Sequence, residues 1–79
     1  MTKYQYEQAR TIIGLLDDLE TLQSVVNQNY RIVYADDRDY RREFIISQVG
    51  ETIQSDISVA INGVINKHRE ILKKELEKL

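Results

Sequence analysis

Apolar side chains recur at helical spacing from Ile12 to Val33 and again from Phe44 to Leu79, and no proline interrupts them anywhere in the 79-residue chain. That spacing lines up side chains on one face of an α-helix. In the first half the heptad a positions are Ile12, Leu19, Val26 and Val33, and the d positions are Leu15, Leu22 and Asn29. A 3.5-residue repeat of this kind belongs to helices packed side by side. Ile13, Leu16 and Val25 widen the stripe, so the helix needs more than one neighbour. Thr2 is placed to cap its amino end. The pattern predicts a first helix over about residues 3–33.

The segment Tyr30–Ala35 reads YRIVYA, and its β-branched and aromatic content also suits a strand. A lone strand has no evident partner in the chain, and Val33 continues the heptad, so helix is preferred. Asp36-Asp37-Arg38-Asp39 is the clear break. Carboxylates favour the positive end of a helix dipole, which makes Asp36 or Asp37 the expected N-cap of a second helix. A turn at about 34–37 would then join antiparallel neighbours.

The second predicted helix is long, about residues 38–78. Ile46, Ile57, His68 and Leu79 step by eleven, a repeat that keeps a helix nearly straight. The apolar pattern crosses Gly50 and Gly63 without a change of phase. Each glycine costs about 1 kcal/mol relative to alanine inside a helix, so Gly50 is the place for a kink, or for a break that would give three helices.

The expected fold is therefore all-α, a single domain over 1–79 built as a long antiparallel helical hairpin. Helices of ~30 and ~40 residues would measure ~45 and ~60 Å. One hairpin of that length cannot cover both of its wide stripes, and each large side chain left wet forgoes roughly 1.5–3 kcal/mol. A homodimeric four-helix bundle is the expected assembly. Its core and dimer contacts would come from Ile12, Leu15, Leu19, Leu22, Val26, Ile46, Val49, Ile53, Ile57, Ile61 and Val64.

Composition enters mainly by exclusion. There is no cysteine, so neither a disulfide framework nor a thiolate metal site is available, and His68 is the one histidine. No apolar run approaches the ~18 residues of a membrane span. The net charge of −2 is not the basic balance of a typical nucleic-acid-binding domain. These features lead us to expect a cytoplasmic, non-catalytic protein without cofactor or metal.

The distinctive local cluster lies around the break. Tyr30, Arg31, Tyr34, Arg38, Tyr40, Arg41 and Arg42 gather at the turn end of the predicted hairpin. Tyrosine and arginine are enriched at binding hot spots, so these seven are the expected contacts for a protein partner of unknown identity. A longer carboxyl helix overhanging the first would be a second docking element. The chain then reads as a small adaptor, regulator or inhibitor that self-associates. One alternative is a nucleic-acid-binding regulator using Arg38, Arg41 and Arg42 on phosphates, although three nearby aspartates cancel much of that field. Another is a purely structural oligomeriser. Asp36, Asp37 and Asp39 do not make a calcium loop: counting from Asp36, Arg41 stands where the loop glycine belongs and Ser47 where its closing glutamate belongs.

Overall fold

The structure is a computed structural model and describes residues 2–79. Its elements are α1 (Lys3–Val26), β1 (Arg31–Ala35), β2 (Arg41–Ile45), a single 3-10 turn (Ile46–Val49) and α2 (Glu51–Glu77). The expected all-α hairpin is thereby corrected. Two helices remain, but a two-stranded antiparallel sheet lies between them, and the fold is an α+β helix–hairpin–helix.

α1 begins as expected. The Thr2 hydroxyl accepts from the Gln5 backbone N–H at 3.1 Å, while the Gln5 side-chain oxygen accepts from the Thr2 N–H at 3.0 Å, a reciprocal capping box. The helix stops at Val26 rather than near residue 33. Asn27-Gln28-Asn29 follows, and asparagine competes for the backbone in non-helical conformations. The bonds made there hold the chain in its new direction. Ser58 Oγ donates to the Val26 carbonyl at 2.9 Å, and Asn29 Oδ1 accepts from the Ser47 N–H at 3.3 Å. Asn29, anticipated inside a helical seam, instead braces the start of the hairpin.

The strand character of YRIVYA prevails because it has a partner in the chain. β1 pairs with Arg41–Ile45, a stretch the periodicity had assigned to the long helix, in the register Arg31↔Ile45, Ile32↔Phe44, Val33↔Glu43, Tyr34↔Arg42 and Ala35↔Arg41. The Ile46 N–H donates to the Tyr30 carbonyl at 3.0 Å, which extends the ladder by one bond.

Asp36 caps no helix. Its N–H donates to the Tyr40 carbonyl at 3.1 Å, and the Asp39 N–H donates to the Asp36 carbonyl at 3.0 Å. Asp39 sits at φ 61°. This is a tight hairpin loop, Asp37-Arg38-Asp39, whose last residue is left-handed. Aspartate tolerates that conformation and bonds nearby backbone amides in turns as readily as at helix starts.

Gly50 provides the second corner, at φ 90° and ψ 158°, a region that only glycine occupies without strain. The anticipated kink is a full break there, and the segment before it is the hairpin plus a 3-10 turn rather than another helix. Gly63 lies inside α2.

α1 and α2 pack antiparallel. Ile12, Val26 and Ile65 are buried along with Ile46, and Leu16, Leu19, Ile57, Ile61, Leu72 and Leu76 are half-buried around them. A polar seam crosses the pair near the hairpin. Arg69 Nη2 donates to Gln23 Oε1 at 2.7 Å, Gln23 Nε2 to Asn62 Oδ1 at 3.4 Å, and Asn62 Nδ2 to Asn27 Oδ1 at 3.2 Å. Of the anticipated core, Ile12, Val26 and Ile46 are buried, and Leu19, Val49, Ile57 and Ile61 are half-buried. Leu15, Leu22, Ile53 and Val64 stand exposed on the single chain. The molecule is a slab of 48 × 32 × 16 Å with a radius of gyration of 16.8 Å, against ~12 Å for a compact chain of this length.

Candidate interaction surfaces

Two surfaces stand out, the hairpin and one face of the helix pair. Asp36 organises the hairpin tip. Its Oδ1 accepts from the backbone N–H groups of Arg38 at 2.9 Å and Tyr40 at 3.1 Å, and its Oδ2 accepts from Arg42 Nε at 2.9 Å. The Arg42 guanidinium, and then the backbone amides, hold the Asp36 carboxyl below its ordinary value. Asp36 therefore shapes the loop, and its carboxylate is already engaged by these donors. Among the described residues no cluster of His, Asp or Glu is arranged to hold a metal ion.

The anticipated partner-binding residues do come together on one hairpin, but not as a single patch. Strand alternation places Tyr34 and Arg42 on one face with Ile32 and Phe44, and Arg31 and Arg41 on the other with Val33, Glu43 and Ile45. Arg31 pairs with Glu43 at 3.2 Å and Arg42 with Asp36 at 2.9 Å. Among the described residues, Arg38 and Arg41 have no acidic partner within salt-bridge reach. Tyr40 is 64 % exposed and Tyr34 46 %, whereas Tyr30 is half-buried at the hairpin's base. What the tip offers outward is two unpaired guanidinium groups and two tyrosine rings. Such groups can stack on a partner and donate hydrogen bonds.

The helix pair has two unlike faces. A groove on one side is lined by Leu15, Leu19 and Leu22 from α1 and by His68, Ile71 and Leu72 from α2, with Asp18 and Glu75 beside them. It runs on toward the far end past Tyr4, Glu7, Thr11 and Lys78. The other side carries Asp17, Glu20, Gln23, Arg69 and Lys73. The anticipated core and dimer set did contain Leu15, Leu22, Ile53 and Val64, but it merged them with the internal contacts. Their separation into an uncovered face depends on where α2 actually lies. His68, on the apolar stripe in sequence, is exposed at the edge of this groove.

Among the described residues no helix is long and apolar enough to cross a membrane. Comparison with protein families, with curated proteins and with solved structures finds no match for this chain.

Proposed function

We propose that this chain is a small non-catalytic interaction module that self-associates and offers its β-hairpin to a protein partner. One observation carries the proposal. Among the described residues four apolar side chains are buried, while fourteen large hydrophobic ones stand exposed. Scattered exposed apolar residues are ordinary, but Leu15, Leu22 and Ile71 line one groove together, and contiguous apolar surface on so small a body marks a contact surface.

The hairpin is the outward-facing element. All five residues of β1 are exposed, and Arg38, Tyr40 and Arg41 surround its loop without being consumed by internal ion pairs. Aromatic rings and guanidinium groups give much contact area and directional bonding for few side chains, the usual make-up of an anchor at a protein interface.

The test is a pair of affinity captures from the native host, with the wild-type chain and with an Arg38→Glu/Arg41→Glu double variant. A protein held by the wild type and released by the variant supports the hairpin as the docking element. An identical set held by both would refute it. Sedimentation of the purified chain reads self-association separately.

A further inference from the structure

We infer that a second copy of this chain covers the apolar face of the helix pair, with the two copies running parallel so that both hairpins emerge at the same end. This rests on the self-association proposed above and assigns it a surface and an orientation.

The first support is area. The chain exposes 6551 Å², whereas a compact monomer of its 9.3 kDa exposes about 5,000 Å². The excess is roughly 1,500 Å². A standard specific interface removes about 800 Å² from each partner, and permanent dimers remove more. A second copy bound as in a permanent dimer, at about 1,000–2,500 Å² per partner, removes an excess of that size. The molecule is also only 16 Å thick, a single layer of helices, and domains are built from at least two packed layers.

The second support is the choice of face. Leu15, Leu22 and Ile71 line one side, and helical spacing places Ile53 and Val64 on that same side of α2. The opposite side is charged and would have to be desolvated to form a contact.

Orientation follows from how this face changes along its length. Toward the hairpin it is apolar, with Leu22, Ile53 and Val64 exposed. Toward the chain ends the apolar Ile12, Leu15 and Leu72 are joined by Glu7, Gln8, Glu75 and Lys78, which must find partners there. A two-fold axis along the helices seats α1 of one copy over α2 of the other at equal height. Leu22 then meets Val64, and Glu7 meets Lys78. A two-fold axis across the helices, level with Leu15 and Ile71, reverses the match, laying Leu22 on Gln8 and Val64 on Lys78. That arrangement strips water from polar groups without pairing them, whereas self-complementary contact is what a two-fold interface needs.

The chain contains no cysteine, so a single Glu77→Cys substitution on the exposed terminal turn of α2 takes one spin label per copy. Sedimentation should give twice the 9.3 kDa chain mass. Pulsed dipolar spectroscopy should place the labels within about 30 Å of each other, against more than about 40 Å, a full length of α2, if the copies run antiparallel. Val64→Glu should halve the mass with helical content unchanged, because Val64 is 57 % exposed on the single chain. If that variant unfolds, Ile71→Glu reads the same face. A monomeric wild type would overturn self-association and this inference together. A dimer with widely separated labels, or one that survives both glutamate substitutions, would overturn this inference alone.

Discussion

Gly50 and Gly63 look alike in sequence, each a glycine crossed by an apolar stripe, yet the structure gives them opposite roles. Gly50 occupies φ 90° and ψ 158° at the corner before α2, and a methyl group there would meet nothing within 4 Å. The cost of Gly50→Ala is therefore backbone strain alone, about 1–3 kcal/mol for a residue forced into that region. Gly63 lies within α2, also with open space around it. Gly63→Ala should stabilise by about 0.5–1 kcal/mol, since alanine loses less backbone freedom on entering a helix. For a chain of this size 1 kcal/mol moves the melting midpoint by about 4–8 °C. Thermal unfolding followed by circular dichroism at 222 nm should show Gly50→Ala melting lower than wild type and Gly63→Ala higher. All three chains must be compared at one concentration, because self-association would make the midpoint depend on it. A continuous helix through residue 50 predicts stabilisation by both substitutions. A raised midpoint for Gly50→Ala would therefore refute the corner and with it the helix–hairpin–helix topology.

Among the described residues Ile65 is the one large side chain that is completely buried, and Ile65→Ala should destabilise by about 2–5 kcal/mol in urea unfolding; a change near zero would mean that the helices do not meet there. Asp39 is left-handed at φ 61°, so the β-branched Asp39→Val should cost about 1–2 kcal/mol or more and disturb the hairpin amide resonances, while Asp39→Gly should be tolerated. The Asp36 carboxyl is held below its ordinary value of 3.8 by Arg42 and by the loop amides. A depressed folded-state pKa gives stability that is present above the unfolded value and lost as pH falls through the folded one. The Arg38 and Tyr40 amide shifts should thus stay constant from neutral pH down to about 4 and move only below it, and Asp36→Asn should abolish that transition.

How much of this was legible in the sequence depends on whether a signal is local. The start of α1 is local: Thr2 and Gln5 satisfy each other within one turn. The greater part of α2 is local too, since its apolar spacing repeats over seven turns. The hairpin is not local, because YRIVYA becomes a strand only when RREFI lies beside it. RREFI carries just two apolar residues in a row, a run too short to separate the two periods. The acidic break was visible but ambiguous, because one aspartate chemistry serves both helix caps and tight turns. The cluster of tyrosines and arginines was legible as a set, since all seven lie between residues 30 and 42. Its division between two strand faces, and the withdrawal of Arg31 and Arg42 into ion pairs, follow only from the register.

A two-stranded sheet has two outer edges, and here the outer ladder positions of β1 and β2 belong to no further strand among the described residues. Ile32, Val33 and Tyr34 form a short, strongly β-prone run beside one of those edges, the sort of template on which identical chains stack into fibrils. The run is bounded by Arg31 on one side and by Asp36 and Asp37 on the other. Fixed charges at both ends penalise in-register stacking, because every added chain would place like charges directly above one another. Arg31 and Asp36, engaged in ion pairing and loop closure within the folded chain, thus stand with Asp37 as charged flanks of the kind that oppose stacking through such a hairpin.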